Sequence, residues 1–228
     1  MSENTEIIPA GSFENMLNSG RTAELLETAK PFIELMMQNE CALREVETKL
    51  NVLNDEFSTI YNYNPIETIK TRVKDPLSIV EKMHRKGIAP TIENIENTLN
   101  DIAGVRVICS FPEDIYAIAD ILTAQDDITL ISRKDYIANP KPNGYRSLHL
   151  IIGIPIFLST GKKMMKAEVQ FRTIAMDFWA SLEHKLKYKH NVKDPAEISA
   201  QLKECADAIS DIDFRMQEIR SRIEHDTV

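Results

Sequence analysis

In MKAEVQFRT the side chains alternate strictly: Ala167, Val169 and Phe171 are apolar, and Glu168, Gln170 and Arg172 between them are polar or charged. Period-two alternation marks a strand with one buried face. The chain must therefore supply a sheet that packs one side on a core and leaves an acid, an amide and a guanidinium together on the other. AGVRVICSF reads as a second such strand, with Val105, Val107 and Cys109 alternating with Arg106 and Ile108. ITLISRKDYI and SLHLIIGIPIF read as further strands. PEDIYAIADILTAQ reads as a helix with Ile115, Ile118 and Leu122 inward, and TIENIENTLND as a short one closing near Asp101. Another helix starts at Thr173, with Met176, Trp179, Leu182 and Leu186 as core positions. Strands and helices interleaved in this way give an α/β (α+β) domain, a mixed central sheet flanked by helices.

Long helices are expected at both ends. Ahead of the first lies a short helical segment in MLNSGRTAELLETA; after Pro31, Leu43, Val46, Leu50, Leu53, Phe57 and Ile60 recur at steps of three and four to about Tyr61. That stripe packs either on the domain's own sheet or on a partner helix, and so short a repeat favours the first. From Pro195, Ile198, Leu202, Cys205, Ile209, Ile212, Met216, Ile219 and Ile223 run on over about three and a half heptads, which points to a homo-oligomer. With 228 residues, 43% hydrophobic and 27% charged, the chain is expected to be one domain over 1–228: helices to 62, a catalytic core over 63–190 and a helix over 191–228. Cys41, Cys109 and Cys205 are odd in number and far apart, which suits neither a disulfide framework nor a zinc site and fits a cytoplasmic protein. No apolar run approaches the roughly 18 residues of a membrane span, so no membrane partner is expected.

A net charge of −8 argues against a surface built to embrace nucleic acid, so any phosphate site is local. Between Ile69 and Ala89 lie six basic residues and two acids. This run is either a solvated helix face or a phosphate site. Arg72 and Lys74 are two apart in extended chain; Asp75-Pro76 then opens a helix that carries Ser78 and Lys82 on one face. These four side chains can converge on a polyanion such as a triphosphate. In KDYIANPKPNGYRSLHL, Pro140, Pro142 and Asn143-Gly144 shape a tight turn that presents Tyr145 beside Lys141, Arg146 and His149. A ring so placed can stack on a base while its neighbours meet phosphates; it can also be the tip of a hairpin with a tyrosine packed on the sheet. Asp101, before the second strand, is either a helix cap or a Mg²⁺ ligand, and Glu168 is the natural second carboxylate.

The seven glycines form neither a dinucleotide fingerprint nor a P-loop, so side chains must hold the phosphates. The residues add up to a phosphotransferase for two nucleotides. From about Asn64 to Lys189 the motifs NPIETIKTRVKDPLSIVEKMHRKG, DIAGVRVICSF, KDYIANPKPNGYRSLHL, EVQFRT and AMDFWASLEHK follow one another in an order that resembles the small alarmone synthetases, single-domain GTP pyrophosphokinases of the RelA/SpoT homologue family.

The resemblance implies a nucleotidyltransferase-like synthetase fold and a stringent-response activity. The β,γ-pyrophosphate of ATP would pass to the 3′-hydroxyl of GDP or GTP, with GMP a further candidate acceptor, giving ppGpp or pppGpp and AMP. Arg72 and Arg106 would sandwich the adenine, and Lys74, Ser78 and Lys82 would hold the ATP phosphates. Asp101 and Glu168 would bind Mg²⁺, with Glu168 activating the hydroxyl. Tyr145 would stack on guanine, and Lys134, Asn139, Lys141, Asn143, Arg146, His149 and Gln170 would complete the acceptor site. The flanking helices would form a tetramer, and no hydrolase domain or nucleic-acid partner is implied. Thr68 and Lys70 stand where some small synthetases carry a Phe-x-Thr for product binding, which puts activation by pppGpp in question. The competing reading is a non-catalytic nucleotide or RNA sensor on the same fold. A third reading is a nucleotidyltransferase that releases pyrophosphate.

Overall fold

The computed structural model describes residues 20–188 and 195–226. Its elements run α1 (Gly20–Tyr61), β1 (Ile66–Val73), α2 (Pro76–Arg85), α3 (Ile92–Thr98), β2 (Ala103–Cys109), α4 (Pro112–Thr123), β3 (Thr129–Asp135), β4 (Leu148–Leu158), β5 (Gly161–Thr173), α5 (Ile174–Tyr188) and α6 (Pro195–Asp226). The five strands make one sheet in the order β1-β2-β5-β4-β3. Among the described residues only the β2–β5 pair is parallel, so the sheet is mixed as expected.

The alternation decides which face is covered. Val105, Val107, Leu148, Leu150, Ile152, Ala167, Val169 and Phe171 all point to one side, where they pack on Ala42, Leu43, Val46 and Leu50 of α1 and Ile115, Ile118, Ala119 and Leu122 of α4. The stripe of α1 is thus spent within the chain through Leu53, while Ile60 is exposed. Pro31 lies inside α1 rather than ahead of it. A proline there forfeits a hydrogen bond at a cost of about 3 kcal/mol, which a helix anchored this firmly further along can absorb.

A second core, formed by Leu35, Ile79, Met83, Ile95, Leu99 and Ile102, fastens α2 and α3 to α1. It matters for the site because Leu99 and Ile102 bracket Asp101. The amide of Lys74 donates to Ile102 O at 2.8 Å, which lays the end of β1 beside that acid.

One helical reading needs correction, and the last helix packs in a way its apolar stripe does not indicate. In α5, Met176 and Trp179 are buried, but Leu182 and Leu186 are exposed, because the contacts that bury this helix, with β5 and α6, are spent on its first turns. In α6 the buried positions are Ala206, Ser210, Asp213 and Gln217, whereas Ile212, Met216, Ile219 and Ile223 of the heptad stripe are exposed. The polar face is the one that binds the protomer: Thr173 Oγ1 donates to Asp213 at 2.6 Å, Arg220 to Asp114 at 2.9 Å, and Gln217 to Glu113 at 2.8 Å. Among the described residues no helix is long and apolar enough to cross a membrane.

Candidate active site

The uncovered face of the sheet carries the candidate residues in two rows set by strand register. One row reads Lys70, Arg106, Gln170, His149 and Lys134 across all five strands. The next contains Arg72, Gly104 and Glu168. Below them opens a cleft of about 510 Å³, lined among others by Arg72, Lys74, Ser78, Asp101, Arg106, Glu168 and Gln170. Gly104 sits in its floor between Arg72 and Glu168, and the absence of a side chain there keeps that floor open.

Asp101 is not a helix cap, since α3 ends at Thr98. Its Oδ2 accepts from Lys74 Nζ at 2.8 Å and from Lys82 Nζ at 2.6 Å. Burial works to raise its pKa, but these two ammonium groups outweigh it and hold the carboxyl below its ordinary value. Its Oδ1 is buried and has no hydrogen-bond partner. Ser78 is committed differently: Asp75 caps α2, accepting from the amides of Leu77 and Ser78, and the Ser78 hydroxyl donates to the same carboxylate at 2.9 Å.

Glu168 is held at both oxygens. His149 Nδ1 stands 3.3 Å from Oε1, and Gln170 Nε2 donates to Oε2 at 3.0 Å. Burial pushes its pKa up, the His149 and Gln170 contacts pull harder in the other direction, and the net effect lies below the ordinary glutamate value. The charge of Asp101 reaches Glu168 and opposes that lowering, so the two acids share one field. The other face of His149, Nε2, lies 2.8 Å from the Tyr145 hydroxyl, which accepts from Arg172 at 2.9 Å. With its proton on Nδ1 toward the carboxylate, the imidazole accepts from Tyr145, and both ring nitrogens have a partner.

The loop residues divide. Lys141 Nζ lies 4.7 Å above the Tyr136 ring and 4.8 Å above the Tyr145 ring, so the loop cation and both rings meet at one place beside His149. Lys134 reaches the same face through its register with His149, and Asn139 is exposed at the loop's start. Two side chains instead anchor the loop to helices: Asn143 donates to Glu183 at 3.1 Å, and Arg146 donates to Ile137 O at 3.1 Å and to Asp207 at 3.4 Å. Gly144, at φ +87°, presses the turn onto α6, where an added Cβ would lie 2.4 Å from Ala206 Cβ. Sequence reasoning missed Tyr136, Gly104 and Asp177. The last gathers Lys70, Arg106 and Arg172 on one carboxylate, and no local motif marks such a meeting of three strands.

Two carboxylates, one with a buried and unpartnered oxygen, fit Mg²⁺, a hard cation that keeps several waters and takes one or two protein carboxylates plus substrate phosphates. They do not make a cage of protein ligands: among the described residues no group of three or more His, Cys, Asp or Glu could hold a metal.

Residues 71–193 match the family model described as the region found in RelA/SpoT proteins. The chain is 46% identical over 183 residues to the GTP pyrophosphokinase YwaC of Bacillus subtilis, covering 80% of this chain and 87% of that protein. It is similar in structure to small alarmone synthetase 1 of Bacillus subtilis, solved with its product pppGpp, at a TM-score of 0.77 and 36% identity over 85% of this chain and 98% of the other. Small alarmone synthetase 2 of the same organism gives a TM-score of 0.76 and 44% identity over 84% and 98%.

Proposed function

This chain belongs to the RelA/SpoT family and is a GTP pyrophosphokinase of the small alarmone synthetase type; we propose that it moves the β,γ-pyrophosphate of ATP to the 3′-hydroxyl of GDP or GTP. The observation that carries this reading is the arrangement of one sheet face, where Asp101 and Glu168 line a basic cleft and Glu168 joins it to the Tyr145–His149 pair.

ATP enters the cleft, with its adenine between Arg72 and Arg106 and its phosphates drawing Lys74 and Lys82 away from Asp101. A Mg²⁺ held by Asp101 and Glu168 would neutralise charge on the phosphates. The guanosine nucleotide stacks on Tyr145, with Lys134, Lys141 and His149 toward its phosphates and ribose. Glu168, kept ionised and aimed by His149 and Gln170, takes the proton of the 3′-hydroxyl as its oxygen bonds to the β-phosphorus. The bond from that phosphorus to the α,β-bridging oxygen breaks, and AMP leaves with the electron pair. Such a reaction depends on alignment and charge neutralisation more than on covalent help from the protein.

Glu168→Gln tests the reading. It removes the base and a metal ligand at nearly constant shape, so turnover falls at least about 10³-fold while the fold and nucleotide binding persist. A variant that keeps turning over at near the wild-type rate overturns the role given to Glu168. Wild-type protein that binds nucleotides without turnover would instead be a sensor.

A further inference from the structure

Asp177 stands in the first turn of α5, which continues β5 without a loop. Its carboxylate meets cations from three strands: Arg172 of β5 at 3.0 Å and Arg106 of β2 at 3.4 Å on Oδ1, and Lys70 of β1 at 3.6 Å on Oδ2. An acid in a first turn is favoured by the helix dipole, but that accounts for its presence and not for the three cations it collects.

Each partner has a second commitment. Arg106 lines the donor cleft. Arg172 is buried and donates from Nη2 to the Tyr145 hydroxyl at 2.9 Å and to Gln170 Oε1 at 3.3 Å, while Gln170 in turn holds Glu168. Arg106 and Arg172 are close enough that, after burial, the charge of Arg172 is the main influence disfavouring the charged form of Arg106, and the carboxylate of Asp177 is the main one opposing it. Without that carboxylate the repulsion between the two guanidiniums loses its main counterweight, and Arg106, whose other neighbours hold it less firmly than Tyr145 and Gln170 hold Arg172, is the one free to move.

We propose that Asp177 is a positioning residue that sets both nucleotide sites at once, aiming Arg106 into the donor cleft and, through Arg172, fixing Tyr145 and Gln170 on the acceptor side. This rests on the assignment of the cleft to ATP made above.

The test compares Asp177→Asn, Arg106→Ala and the double variant by KM for ATP, KM for GDP, and binding of a non-hydrolysable ATP analogue. Asp177→Asn raises the ATP KM and the analogue Kd by about tenfold and the GDP KM several-fold; added to Arg106→Ala it gives no further loss for ATP but keeps its effect on GDP. Asp177→Ser serves in the same role should the asparagine variant fail to fold. A variant with a lower melting temperature but both KM values unchanged overturns the proposal, as does a double variant whose ATP effects multiply. Should the wild type make no alarmone, the functional reading falls, and the analogue Kd still decides the role of Asp177.

Discussion

The hydroxyl of Tyr145 stands 2.8 Å from Nε2 of His149, whose other nitrogen lies 3.3 Å from Glu168. The residue proposed to offer its ring to the acceptor base is therefore also linked, through His149, to the carboxylate proposed as the base catalyst. Ring and hydroxyl can be separated. Tyr145→Ala removes both and raises the KM for the guanosine nucleotide roughly tenfold or more, the scale of a lost base–aromatic stack, with the ATP KM nearly unchanged. Tyr145→Phe keeps the ring, leaves the acceptor KM near wild type and lowers kcat. Steady-state kinetics with each substrate varied in turn checks both; equal effects of Tyr145→Ala on the two KM values would mean a structural tyrosine.

Asp213 gives a pH signature that is independent of catalysis. Burial raises its carboxyl pKa against the hydrogen bond from Thr173, which lowers it. An acid raised in the folded state favours folding below its unfolded pKa, and that contribution is lost as pH rises through the folded value. At neutral pH the ionised group is held at a cost, so Asp213→Asn raises the melting temperature at pH 7, and the difference from wild type vanishes toward pH 3. Asp101 and Glu168 act in the opposite sense. Their lowered pKa values stabilise the fold above about pH 4, and this is lost as pH falls through the folded values. Thermal melts across pH check the contrast.

The exposed stripe Ile212, Met216, Ile219 and Ile223 on α6 is the surface that the proposed oligomer would bury. Met216→Glu with Ile219→Glu shifts the mass measured by light scattering toward the monomer while leaving the helical circular dichroism signal intact. Unchanged mass would place the contacts elsewhere.

Much of the site was legible because strand periodicity is a local property. The alternation in β5 and β2 put Glu168, Gln170 and Arg106 on one face, and Asp75-Pro76 marked the start of α2 beside Lys74 and Lys82. What stayed hidden depends on elements meeting at a distance in sequence. Asp177 reads as an ordinary helix residue until three strands bring it cations. Asn143 and Arg146 read as ligands by type, yet α5 and α6 supply the carboxylates that engage them. On α6 the apolar period marked the outward stripe, but the inward face stayed hidden, since Asp213, Gln217 and Arg220 find partners that a hydrophobic pattern cannot foresee.

The most direct test is product identity. Purified protein is given ATP labelled at the γ-phosphate, GDP or GTP, and Mg²⁺, and the nucleotides are resolved. Label is expected in ppGpp or pppGpp with AMP formed in equal amount, and none without Mg²⁺. Label that stays in ATP, or is released as pyrophosphate, would contradict it.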